Sequence, residues 1–172
     1  MAIVTGGSLG IGRAVAEAFA GEGVRVAIVA RSQKALESAA AEITQKTGVE
    51  VIAVPTDVTN SEQVDAAVNK VAAHFGRVDI LVNGAAHPGG LVRTEIEHAD
   101  PEGLLEDINI KVVGYMRFAK AAAAQMRKGG FGRIINIGGL TGRGSKQLSG
   151  MRNVAVVHMT KTLSDQLGPF LS

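Results

Sequence analysis

Three glycines carry the first chemical signal in the chain. In TGGSLGIG (residues 5–12), Gly6, Gly10 and Gly12 stand between a short β-leaning run and a helical one. Glycines at such a junction allow a tight turn and bring free N–H groups at a helix N-terminus close to a pyrophosphate. Arg31 and Ser32 follow the next apolar run. A carboxylate there would accept hydrogen bonds from both ribose hydroxyls of NAD. A guanidinium and a hydroxyl suit a 2′-phosphate instead, so NADP(H) is expected over NAD(H). A third stretch, GGLTGRGSKQLSGMRNVAVVHMTK (138–161), is rich in glycine, hydroxyls and cations before it becomes an apolar helix. It has the makeup of an active-site loop. Yet it contains no Tyr, Cys, Asp or Glu, and its one histidine, His158, falls in the helical part.

These stretches must be positioned by a scaffold, and composition bounds what that scaffold is. A chain of 172 residues, 46% hydrophobic and 20% charged, is long enough for one domain with a core. The absence of cysteine removes disulfides, thiolate metal sites and thiol nucleophiles together, and a cytoplasmic setting is expected. His74, His87, His98 and His158 lack ligand spacing, so no metal site is expected. From Arg117 onward there are nine Lys or Arg against the single acid Asp165, with an acidic counterpart at 95–107. With aromatics at only 3% and no recognition motif, these runs are read as solvated helix faces, and no nucleic-acid partner is expected. No apolar run approaches about 18 residues, so no membrane span is expected. The N-terminus lacks the basic flank and cleavage site of a signal peptide.

Strand and helix patterns alternate along the chain. Strands are expected at residues 2–4, 24–30, 49–54, 78–82 and 133–137. Helices are expected at 13–19, 33–47, 61–75, 104–128 and 154–167, the third capped by Ser61 with Glu62 and Gln63 behind it. Strands apolar on both faces and separated by helices imply right-handed crossovers and a parallel sheet covered on both sides. One doubly wound α/β domain over 1–172 is therefore expected, with ligands beyond the carboxyl ends of its strands.

The 5–12 stretch resembles the T-G-x-x-x-G-I-G motif of short-chain dehydrogenases/reductases, and the resemblance runs along nearly the whole chain. TDVTN (56–60) is similar to the family's D-V pair, whose Asp receives the adenine amino group, here Asp57 beside Val58. VDILVNGAA (78–86) resembles the fourth strand and its N-N-A-G ending, here Asn83, Gly84, Ala85 and Ala86. DINIKVVGY (107–115) carries Asn109 where the family places a catalytic Asn, and GRIINIGG and MTKTLSDQLGP match the fifth strand and following helix. The resemblance implies a Rossmann-like sheet ordered 3-2-1-4-5. It implies a cofactor held by Thr5, Gly6, Ser8, Leu9, Gly10, Ile11, Gly12, Arg31, Ser32, Asp57, Val58, Asn83, Gly84 and Ala85. It also implies a homo-oligomer formed through 104–128 and 154–167.

In the family, a Tyr gives a proton to the substrate carbonyl and a Lys four residues later supports it. A Ser after the fifth strand orients the carbonyl. Counting from Met159-Thr160-Lys161 puts the Tyr position on Ser149 and the Lys position on Asn153, and the Ser pair becomes Gly138-Gly139. The sole tyrosine, Tyr115, is expected to pack at a helix interface, and Arg152 to be a surface residue. Two readings stay open. One is an NAD(P)-dependent oxidoreductase acting on a carbonyl or alcohol, with Asn109, Ser149 and Asn153 at its catalytic positions. The other is a non-catalytic NADP(H)-binding, scaffold or partner subunit. The family continues past this chain's last residues into further strands, so a fragment is expected.

Overall fold

The apolar runs become strands because helices cover both of their faces. In the computed structural model, which describes residues 1–87, 95–144 and 146–168, the strands are β1 (Ala2–Thr5), β2 (Val26–Ala30), β3 (Val51–Pro55), β4 (Ile80–Asn83) and β5 (Arg133–Asn136). They form one parallel sheet in the order β3-β2-β1-β4-β5, as expected. Register is continuous across the middle, with Val4 opposite Ile28 on one side and Val82 on the other. Ser145 of the third candidate stretch and Pro169 of the last motif lie outside the described residues.

Helices α1 (Gly10–Gly21) and α2 (Gln33–Thr47) cover one face, packing Ala16, Ala20, Leu36 and Ile43 on Val4, Val26 and Ile28. Helix α3 (Ser61–Phe75) covers the other, placing Val64, Val68 and Val71 on Ile3, Ala27 and Leu81. Beside it, the chain from Pro101 to Gly129 forms α4 (Pro101–Ile108), a π-helical turn at Asn109–Val113 and α5 (Gly114–Gly129). Helix α6 (Gly150–Leu167) comes last and buries only Gly150, Asn153 and Val156. No helix among the described residues is long and apolar enough to cross a membrane.

Several boundaries differ from the sequence reading for identifiable reasons. The cap of α3 is Asn60, whose Oδ1 accepts from the Gln63 N–H at 3.0 Å, while the Ser61 hydroxyl accepts from Arg117. Strand β2 starts at Val26 because the Val24 N–H still closes the end of α1 on the Phe19 carbonyl. The single helix expected over 104–128 starts three residues earlier, capped by Asp100, and widens into the π turn midway. Among the described residues β5 pairs only with β4, and its Ile135 is 44% exposed.

Candidate active site at the carboxyl ends of the strands

A cleft of about 470 Å³ lies over the carboxyl ends of β1, β2 and β4, bordered by Ile110 and Lys111 of the π turn and by Tyr115 of α5. At one end is the turn from β1 into α1. Gly10 adopts φ +57°, a conformation that L side chains rarely adopt. Gly12 needs its missing Cβ for another reason, since a Cβ there would collide with the Gly6 carbonyl. Leu9, at the cap position, gives the helix no side-chain hydrogen bond, and the first turn contains no acid. Among the described residues the leading N–H groups of α1 are thus left without side-chain acceptors beside the cleft, which suits a phosphate. Ser8, Leu9 and Ile11 line the same end.

Thr5 is a structural partner of the site. Buried at the end of β1, its hydroxyl accepts from the N–H groups of Gly84 (3.0 Å) and Ala85 (3.1 Å). It pins the loop after β4 to the glycine turn, and Gly84 and Ala85 reach the cleft wall. Asn83 stays beneath that wall, fully buried, and donates to Asn136 Oδ1 at 2.9 Å.

Arg31 and Ser32 stand at the rim beyond β2. The Ser32 hydroxyl accepts from the Ala35 N–H at the start of α2 and keeps its own proton to donate. Arg31 has no ion-pair partner among the described residues, although its charge helps to lower the Asp57 pKa. The larger cause of that lowering is the Thr59 N–H, which donates to Asp57 Oδ1 at 2.9 Å. Asp57 and Val58 line the cleft with the carboxylate ionised.

The far end, between β4 and β5, is walled by His87, Lys111, Tyr115, Ile137 and Gly138. Tyr115 is buried but also borders the cleft, so it is more than helix packing. Its hydroxyl donates to the Ile137 carbonyl at 3.2 Å, and burial raises its pKa, leaving a poor acid. None of the three residues assigned to catalytic positions lines the cleft, and only Asn153 hydrogen-bonds a side chain that does. Asn109 lies outside the cleft lining, its Oδ1 accepting from Arg117 at 3.0 Å. Ser149 precedes α6 without capping it and lies outside the cleft lining. Asn153 is buried, donates to Thr141 Oγ1 at 2.6 Å and accepts from Lys111 Nζ at 2.9 Å.

Lys111 is the functional candidate that sequence reasoning passed over. It is 5% exposed and donates also to the Gly138 carbonyl at 3.1 Å. Burial lowers its pKa to about 8, the Arg152 guanidinium adds to the effect, and Asp107 opposes it. Asp107, Lys111 and Tyr115 occupy one inward row at steps of four, so two charges on an otherwise apolar row were the available signal. Arg152, expected at the surface, is largely buried. It pairs with the fully buried Asp107, which offers it a carboxylate that no local sequence feature announces.

The sequence comparison agrees with this architecture. Residues 1–170 match the family model for short chain dehydrogenases. The chain is 34% identical to the short-chain reductase protein NovJ of Streptomyces niveus, over 98% of this chain and 64% of that protein. An NAD+-bound xylitol dehydrogenase superposes with a TM-score of 0.93 at 30% identity, over 99% of this chain and 65% of that one. The L-sorbose reductase of Gluconobacter frateurii, complexed with NADPH and L-sorbose, gives 0.89 at 34% identity, over 96% and 63%. The chain belongs to the short-chain dehydrogenase/reductase family. It spans about two thirds of the length of these relatives.

Proposed function

We propose that the chain is the dinucleotide-binding part of an NADP(H)-dependent oxidoreductase that interconverts a carbonyl and an alcohol on a small molecule. The observation that carries this reading is the cleft itself. It runs from the uncapped N-terminus of α1, past Arg31 and Ser32, to a buried amine beside β5. A phosphate suits the first, a 2′-phosphate the second, and the nicotinamide half of the cofactor would fall toward the third. Relatives that carry NAD+ and NADPH support a nicotinamide cofactor in general. The NADP preference rests on Arg31. Calorimetry should find NADPH bound roughly tenfold or more tightly than NADH, as a charge-assisted pair worth about 1.5–3 kcal/mol requires, and Arg31→Asp should reverse the order. Equal affinities in the unmodified chain would remove the Arg31 assignment.

A second reading, a non-catalytic NADP(H)-binding or partner subunit, is favoured by two observations: Ser149 stands outside the cleft lining and Gly139 carries no side chain. In either case we read the surfaces of 104–128 and 154–167 as the homo-oligomer contact, where Leu105, Met116, Val154 and Val157 are exposed. The compartment we assign is the cytoplasm, on the cysteine-free composition.

A further inference from the structure

The cleft contains few groups able to give a proton to a substrate oxygen. Tyr115 has committed its O–H to the Ile137 carbonyl, and Ser149 is not in the lining. Lys111 differs from both. It enters from the π turn, the local widening of a helix that often marks a functional position. Its acceptors, the Gly138 carbonyl and Asn153 Oδ1, are both neutral. The Asn153 amide is fixed in turn by Thr141, so the amine is held from two sides in a set direction. An ammonium has three N–H bonds, and the third finds no hydrogen-bond acceptor among the described residues.

We infer that Lys111 is the proton donor of this site, its ammonium protonating the oxygen of a carbonyl substrate where other family members use a phenol. The inference rests on the dinucleotide reading above. The step balances as follows. The C4–H bond of the reduced nicotinamide breaks and its electron pair forms a C–H bond at the carbonyl carbon. The C=O π pair moves to oxygen and takes the proton of the free Nζ–H. The dinucleotide is oxidised, the carbonyl is reduced to an alcohol, and water reprotonates the neutral amine.

Among the described residues, the charges that act on Lys111 are Asp107 on α4 and Arg152 on α6, and Tyr115 on α5 and His87 after β4 line the same end of the cleft. Asp107 and Arg152 pair with each other and act on the amine in opposite senses, the Arg152 effect being the larger, while Lys111 lines the cleft. A pKa of about 8 suits an acid working near neutral pH. The competitor is His87, in the lining of the same cleft, whose Nδ1 is buried without a partner among the described residues.

The test follows NADPH oxidation by the 172-residue chain with ethyl acetoacetate and benzaldehyde as probes, alongside NADPH affinity by calorimetry. The unmodified chain should turn over at least one probe, with kcat falling as pH rises through about 8. Lys111→Gln and Lys111→Arg should each lower kcat by roughly 100-fold or more and abolish that inflection. NADPH affinity should stay within about threefold in both, which also shows that they fold. Arginine keeps the charge but is no acid near neutral pH, so Lys111→Arg separates proton donation from electrostatic positioning. Full turnover by Lys111→Arg would overturn the inference. So would loss of turnover in His87→Gln with retention in Lys111→Gln, or an unmodified chain that binds NADPH and reduces neither probe. No NADPH binding by the unmodified chain would overturn the dinucleotide reading, and this inference with it.

Discussion

Gly139 lies so close to Asn153 that a Cβ at position 139 would sit 2.6 Å from the Asn153 amide nitrogen and 2.9 Å from its Cγ. The amide cannot simply swing aside, because Lys111 and Thr141 hold it from both sides. The two positions are therefore one packing unit. Gly139→Ser alone should destabilise by about 1–3 kcal/mol, the usual cost of overpacking or a broken buried hydrogen bond. In an Asn153→Ala background the same change should cost much less. Urea melts of the four proteins give the coupling, and additive effects would contradict the contact.

The buried pair of Asp107 and Arg152 should be costly to break from one side. Asp107 is fully buried and its Oδ2 has no hydrogen-bond partner among the described residues, so Arg152 is what keeps its charge tolerable. Arg152→Met should cost about 3–5 kcal/mol, and the further change Asp107→Asn should recover part of it. Chemical denaturation would show the order, and an Arg152→Met protein as stable as the parent would refute it.

Lys111 makes stability depend on alkaline pH in a defined direction. Its folded pKa is lowered to about 8 from 10.5, so between these values the unfolded chain holds more protons than the folded one. Stability then rises with pH across that window, with a slope of at most about 1.4 kcal/mol per pH step of one. Below about 8 the folded state bears the cost of a buried ammonium in full. Lys111→Met should remove this rise, and unfolding free energies of both proteins at intervals from about pH 7 to the unfolded value of 10.5 check it. Parallel curves would show that the amine is not depressed.

The apolar faces of α5 and α6 predict self-association. Val157 is 64% exposed and Val154 53%, on a helix that buries little else. Sedimentation should show an oligomer that Val154→Asp with Val157→Asp converts to monomer, while NADPH binding is kept. A parent chain already monomeric at high concentration would argue against these faces as the contact.

Much of the fold is legible in the sequence. The bounds of α2 and α3 agree with the hydrophobic pattern to the residue, because each ends in a glycine with a left-handed backbone that the pattern makes visible. The glycine turn from β1 into α1 is legible for the same reason. The far end of the cleft is not. Only the letters DIN point to Asn109, and the π turn that decides which side chains face inward leaves no mark in a count of apolar positions. Arg152 reads as solvated because its partner lies 45 residues away in sequence.

The π turn at Asn109–Val113 has a consequence for how this segment can vary. Each residue of helix turns about 100° and advances about 1.5 Å. Removing one residue from the turn would leave a regular helix on both sides yet rotate α4 against α5 by roughly a quarter of a revolution. Asp107 would swing away from Arg152, and Lys111 would lose its direction toward Gly138 and Asn153. The number of residues between Asp107 and Tyr115 thus sets which way both buried groups face. Along this stretch the spacing of the inward residues matters as much as their identity.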